Sequence, residues 1–342
     1  MKLGIIGLPM AGKQTLFEAL TRTSGAPEKR NENKIGTVDV PDERIDRLSE
    51  MYHPKKTTFA KVNYFLPGTV LGADQKAREQ RWADVRDSDA FLHVIRNFQA
   101  GLDGRDPLID FNRTEEDMLI MDLVVAEKRL EKLEMEKKKG REYDQKEHTL
   151  MLQVHALLEK GKPLREDPEL AGHPLLRGFA FLSGKPMLIC FNNSDEDKQI
   201  PDIPEITHHF DCLAICGQLE HEIGQMNPDD ADLFLQEYGI TETARSRVIR
   251  YSYKMLGLIS FFTVGEDEVR AWTILKQIPA AEAAGVIHSD IQKGFIRAET
   301  ITYDDLMSAG SYAGARKKGT VRLEGRDYIV QDGDIMNFRF NV

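Results

Sequence analysis

Cysteine is scarce: Cys190, Cys212 and Cys216 are the only three in 342 residues. They show no zinc spacing and no even-numbered disulfide framework, which points to a reducing compartment. Cys212 and Cys216 lie four apart in the run "DCLAIC", and are read as buried thiols rather than a redox pair. No apolar run approaches the length needed to cross a membrane, so no membrane partner is expected. The opening "MKLGIIGLPM" leads into glycines and a lysine rather than a small-residue cleavage site, so it reads as a first buried strand of a cytoplasmic protein. Positive charge is also short. Against 56 acidic residues stand 46 Lys and Arg, a formal net charge of -10. That balance argues against non-specific coating of nucleic acid, though a local basic patch is allowed. There is no internal repeat and no long low-complexity linker.

What remains is an ordinary globular composition, long enough for two domains. Apolar runs at residues 2–8, 61–68, 90–98, 186–193 and 212–217 read as strands, with helical stretches between several of them. Such alternation predicts an α/β domain with a mostly parallel sheet. Residues 114–160 differ. Leu123, Leu130 and Leu133 fall on one helical stripe, and Leu150, Val154, Leu157 and Leu158 on another, with Gly140 between. Two antiparallel helices would form a charged arm interrupting the sheet domain, its mixed charges a solvated face. From about residue 258 short strands, turns and brief helices predict a small β-rich domain. Arg316, Lys317 and Lys318 form its small basic cluster, fit either for RNA or for a solvated loop.

The first apolar run flows into "GLPMAGKQT", residues 7–15. Gly7, Gly12 and Lys13 match the phosphate-loop pattern G-x-x-x-x-G-K-[ST]. Strand, glycine loop, helix is the context the motif requires. Glycines let backbone N–H groups turn around phosphates, the helix adds its positive end, and the lysine reaches the β and γ oxygens. The candidate phosphate-binding residues are Pro9, Met10, Ala11, Gly12, Lys13, Gln14 and Thr15.

With this loop the chain resembles the YchF / Obg-like ATPase family. The likeness runs through "VDVPDERIDRL" (38–48), "RDSDAFLHVIRNF" (86–98), the helical arm, "KMLGLISFFTVGEDEVRAWTI" (254–274), "AAGVIHSDIQKGFIRAETI" (283–301) and "GRDYIVQDGDIMNFRFNV" (325–342). It implies a G-type P-loop domain over 1–257 interrupted by a helical coiled-coil arm at 114–160. It also implies a ubiquitin-like β-grasp TGS domain over 258–342. The family binds and hydrolyses ATP, often in preference to GTP, and associates with ribosomes.

The chain departs from that family at three metal contacts. Gln14 stands where the loop has Ser. Phe65 of "FLPG" stands where Asp-x-x-Gly has its aspartate. The shortened first switch, "PEKRNENKIG", has no Thr, and Arg30 falls near its place. A longer amide at 14 and an aromatic ring at 65 do not build the compact octahedral shell of magnesium. No metal ligands are therefore assigned and Mg2+ is doubted. Arg30, Lys29 or Lys34 is left to supply positive charge. The family's Asn-x-x-Glu base motif becomes "NNSD", so Asn192, Asn193 and Asp195 are the base candidates, with Cys216 and Gly217 of "CGQLE" behind the base. A carboxylate accepts the N1–H and N2–H of guanine, whereas adenine offers a lone pair at N1; a charge-assisted bond contributes about 1.5–3 kcal/mol. The alternative is a polar loop capping a strand. No catalytic residue is assigned. His93 reads as a packed core histidine rather than a catalyst, and His208, His209 and His288 have no metal-ligand spacing.

The expected function is a purine nucleotide switch, GTP or ATP, with weak or absent hydrolysis. It would meet ribosome or RNA through the TGS domain and the arm. The competing reading is an active YchF-type ATPase or GTPase.

Overall fold

A computed structural model describes residues 1–23, 32–68, 75–99, 106–140, 142–195, 197–238 and 240–341. Lys29 and Arg30 lie outside the described residues. The strands in chain order are β1 (Lys2–Ile6), β2 (Lys34–Asp39), β3 (Lys56–Thr58), β4 (Lys61–Leu66), β5 (Ala90–Asn97), β6 (Met187–Asn193), β7 (Cys212–Ile215), β8 (Leu258–Thr263), β9 (Glu268–Leu275), β10 (Phe295–Thr302), β11 (Arg322–Glu324) and β12 (Asp334–Phe340). The first helices are α1 (Lys13–Thr21), α2 (Glu43–Tyr52), α3 (Gln75–Val85), α4 (Pro107–Lys138) and α5 (Gln145–Leu158). Among the described residues no helix is long and apolar enough to cross a membrane.

The chain divides into two compact units. One holds Met1–Thr37 and Asn63–Val248; the other holds Val38–Val62 and Ile249–Val342. Residues 38–62, placed by sequence within the 1–257 domain, thus pack with the C-terminal segment.

The first unit is built on a sheet of order β2-β4-β1-β5-β6-β7. β1 pairs in parallel with β4 and β5, β5 with β6, and β6 with β7. These strands are apolar on both faces, as a parallel sheet covered by helices requires: Phe91, Leu92, Val94, Leu188, Ile189 and Phe191 are all buried. Because the four pairings are parallel, the loops after β1, β5, β6 and β7 leave from one end of the sheet. That is where ligands sit in open α/β sheets.

The helical arm begins earlier than its leucine stripe suggests. Asp106 accepts from the backbone N–H groups of Leu108 and Ile109, and Pro107 occupies the first turn, so α4 starts at Pro107 rather than 114. Leu130, Leu133, Val154 and Leu158 are buried along the helix pair, and Leu123, Leu150 and Leu157 pack against them. At its base the fully buried Asp122 accepts from Leu182 N (2.9 Å) and Ser183 N (2.7 Å). Desolvation raises its pKa even so, with Leu182, Ser183 and Arg86 acting against the shift.

The second unit carries a mixed sheet of order β11-β10-β12-β8-β9-β3. β10 runs antiparallel to β11 and β12, β8 antiparallel to β9, and β12 parallel to β8. The helix Ala280–Ile287 sinks four alanines into a core shared with Phe261, Phe295, Ala298 and Met336. Small side chains there let the helix approach the sheet closely. β3 pairs in parallel with β9, Lys56 opposite Glu268, which explains why 38–62 belongs here. Arg44 of α2 locks the same unit. It bonds both Asp42 and Asp332, and Asp332 also accepts from Ser260 N at 2.9 Å. Gly333 (φ +90) turns directly beneath that guanidinium, where a Cβ would stand 2.9 Å from Arg44 Nη1.

Candidate nucleotide-binding site

The loop between β1 and α1 takes the backbone its glycines permit. Gly7 has φ +137 and Gly12 φ +93, and a Cβ on Gly7 would lie 2.3 Å from the Val94 carbonyl. A side chain at either position is excluded by both conformation and space. Met10 also lies at positive φ and is largely exposed. Ala11 is buried.

Lys13 folds back over its own loop. Its ammonium donates to the carbonyls of Gly7 (2.8 Å) and Leu8 (2.7 Å). Burial, with Arg81 nearby, lowers its pKa to about 8. A phosphate would have to draw this ammonium off two carbonyls, and would restore the charge that burial disfavours. His93 lies in β5 beside the loop, fully enclosed and stacked on Phe111 at 5.8 Å. Burial, then the charges of Lys13 and Arg165, depress its pKa to about 3. It is therefore a neutral ring packed in the core, as its apolar strand predicts.

Asn192, at the end of β6, ties the loop to the rest of the site. Its Nδ2 donates to Ala11 O (3.0 Å), and its Oδ1 accepts from Gly217 N (2.9 Å). The missing side chain of Gly12 leaves room for that amide: a Cβ would stand 2.1 Å from Nδ2. One buried side chain thus fixes the phosphate loop against the β7 loop. Cys216 opens the next helix, Gly217–Gln225, accepting from Leu219 N at 3.4 Å. Its thiol donates to Asp195 Oδ1 at 2.6 Å. Burial, reinforced by that carboxylate, raises the thiol pKa to about 11. Cys212 and Cys216 are only half-buried, unlike Cys190, because each stands at an end of the short strand β7.

Asn193 behaves differently from its neighbour. Its Oδ1 accepts from Asn97 (2.9 Å) and its Nδ2 donates to Gln199 O (2.7 Å), so both polar groups are engaged within the fold. Asp195 is exposed. Gly12, Thr15, Asn192, Asn193 and Asp195 line one cavity of about 760 Å³. The loop and the base motif, 180 residues apart, therefore meet at the carboxyl ends of β1 and β6. Phe98, Gln99 and Gln218 line it too, and sequence reasoning passed over them. Their signal was positional: Phe98 and Gln99 follow β5 directly, at the end of the sheet where ligands bind.

The metal side has other partners. Gln14 Nε2 donates to Glu18 Oε1 one turn along α1 (2.8 Å). Phe65 is buried in the core with Ile6, Trp82, Val85 and Phe91, and Lys2 lies over its ring at 4.8 Å. Gly68, the kept glycine of "FLPG", donates to Asn33 Oδ1 at 2.8 Å. Lys34 Nζ is buried with no hydrogen-bond partner among the described residues. An apolar ring turned into the core and an amide already paired do not fit a magnesium shell of oxygens and waters.

A family model named YchF-GTPase_C, described as a protein of unknown function (DUF933), matches residues 258–341. The chain is 35% identical to the ribosome-binding ATPase YchF of Bacillus subtilis, covering 99% of each. It is 33% identical to Obg-like ATPase 1 of Oryza sativa subsp. japonica, covering 100% of this chain and 92% of the relative. A solved structure of the Schizosaccharomyces pombe YchF GTPase superposes with a TM-score of 0.84 at 28% identity, over 99% and 97% of the two chains. Full-length likeness of this kind, in sequence and in fold, means that the chain belongs to the YchF / Obg-like ATPase family.

Proposed function

We propose that the cavity of the first unit binds a purine nucleotide, GTP or ATP, and that the bound nucleotide acts as a conformational signal with little or no hydrolysis. The carrying observation is Asn192. Its two hydrogen bonds join the phosphate loop to the β7 loop across a single cavity. Phosphates lie along Pro9–Thr15 in this reading, with Lys13 turning from its carbonyls toward them. Asp195 and the Gly217 loop meet the base. Asp195, not Asn193, reads it, because the Asn193 amide is already engaged.

The Bacillus subtilis relative is named a ribosome-binding ATPase, and this chain is assigned the same kind of partner. The contact would use the arm and the C-terminal segment, read as a TGS domain over 258–342. Such a protein works in the cytoplasm. The second reading, a working ATPase, is favoured by those same names and requires magnesium held in another way than Gln14 and Phe65 allow.

Calorimetric titration with ATP and GTP, each in EDTA and in excess magnesium, tests the proposal. Binding of at least one nucleotide that weakens less than a hundredfold on chelation is expected. Absence of binding refutes the nucleotide site. A larger loss on chelation, with steady turnover, establishes the ATPase instead.

A further inference from the structure

From the second unit we infer a docking site for an extended peptide of a partner protein. That peptide would add as a strand to the free edge of β12. It would carry apolar side chains at alternate positions and at least one carboxylate.

The edge is open because two strands differ in reach. On one side β12 pairs with β10 over its whole length, from Thr302 opposite Asp334 to Phe295 opposite Phe340. On the other side its ladder partner is β8, in the register Ile335 opposite Phe262, and β8 ends at Thr263. Beyond that point Asn337–Phe340 have a strand neighbour on one side only among the described residues. Half the backbone N–H and C=O groups of such a stretch point away from the sheet and seek partners.

The space beside this edge has the shape and lining for a strand. A cavity of about 520 Å³ runs along it, lined by Tyr52, Val264, Ile291, Tyr312, Phe338 and Phe340, among others. Side chains of an added strand alternate across the sheet plane. The lining supplies an apolar receiver on one side, Phe338 and Phe340 on one face of β12, and the polar Asn337 on the other. Phe340 is 42% exposed and lines this cavity. Tyr52 lines the same cavity, and its hydroxyl is buried with no hydrogen-bond partner among the described residues.

Charge decides the occupant. Glu299 of β10 is buried, and accepts from Arg316 Nη2 (2.8 Å), Tyr312 OH (2.9 Å) and Arg339. Two guanidinium groups, each more than half exposed, thus share one carboxylate at this edge. Lys317 and Lys318 follow Arg316 in the same helix. The surplus is positive, on a chain whose net charge is -10. A second copy pairing edge to edge would bring two such positive surpluses together, which opposes self-association. A carboxylate-bearing strand meets the surplus instead. Main-chain bonds would hold it and the alternate pockets would select its side chains.

The test uses the full chain. A phage-displayed library of nine-residue peptides is selected on it, and the most enriched peptide is synthesised with and without N-methylation at alternate amides. Enrichment of alternating apolar residues with Asp or Glu is expected. So is a tenfold or greater loss of affinity for the N-methylated form, which keeps the side chains but cannot pair with the edge. Hydrogen exchange across residues 334–341 should slow when the unmethylated peptide binds. Arg339→Glu and, separately, Phe340→Ser should each weaken binding at least tenfold. The N-methyl comparison uses the unmutated protein, so it decides the matter even if a variant fails to fold. No enrichment, or equal binding of the two peptide forms, overturns the inference. So does concentration-dependent dimerisation lost in Phe340→Ser, or Arg339-dependent binding of a uridine dodecamer by a protein that takes no peptide. Nucleotide titration on the same sample separates this outcome from failure of the cavity in the first unit.

Discussion

The candidate base side and the candidate metal side of the glycine loop are built from different materials. On the base side polar groups are wired to one another: Asn192 to Ala11 and Gly217, Cys216 to Asp195, Asn97 to Asn193. On the candidate metal side stands Phe65, and its neighbours are Trp82 and Phe91. A polar network keeps its geometry only while every member is satisfied. An apolar core keeps its geometry by volume, whatever the chemistry once was. The first side remains fit to recognise a ligand. The second is packed as part of the core of the sheet.

The sharpest way to break this contrast is Phe65→Asp. If Phe65 is a core residue, the change removes a buried ring and places a carboxylate among aromatics. It should cost about 3–5 kcal/mol of stability in a urea melt, with no gain in magnesium affinity. A stable variant with tight magnesium binding would show that position 65 still faces a metal site.

Asp195→Ala strikes the other side. It removes the acceptor of the Cys216 thiol but should leave the overall fold intact, since Asp195 is exposed, and should flatten any preference for GTP over ATP by about 1.5–3 kcal/mol in competition binding. ATP winning clearly in the unmutated protein would undo the guanine reading. Asn192→Ala comes next. It strands the Gly217 N–H and the Ala11 carbonyl, and should weaken both nucleotides alike by about 1–3 kcal/mol. A change confined to one base would contradict the tie between loop and base.

The smallest effect concerns pH. The Lys13 pKa is about 8 without phosphate, and a phosphate would raise it. Binding then takes up a proton above pH 8. Affinity should be flat below that value and fall, by at most tenfold per pH unit, between it and the bound-state pKa. Buffers of different ionisation enthalpy in calorimetry would measure the uptake; none at pH 9 would mean that Lys13 stays on its carbonyls.

Sequence showed most clearly what local pattern encodes. Glycine spacing announced the loop, and leucine periodicity announced the paired helices α4 and α5, since both signals lie within a few turns of chain. Contacts between distant residues were not legible. Nothing local in "KTT" says that β3 pairs with β9, more than 200 residues on. Nor does "NNSD" reveal that Asn193 turns to Asn97, or that Cys216 holds Asp195. The apolar run 61–68 showed that Phe65 lies in a strand but not which side of it faced the core.

The parallel pairing of β3 with β9 also sets an order in time. α2 and β3 emerge from the exit tunnel early, yet the strand beside β3 is made only after Arg270 is added. At about 5–20 residues per second, that interval is roughly ten to forty seconds. Throughout it the early segment carries an unpaired strand and a helix without its packing surface. A nascent chain of this sequence is therefore most exposed to wrong partners between its first quarter and its last, and any truncation before β9 makes that exposure permanent.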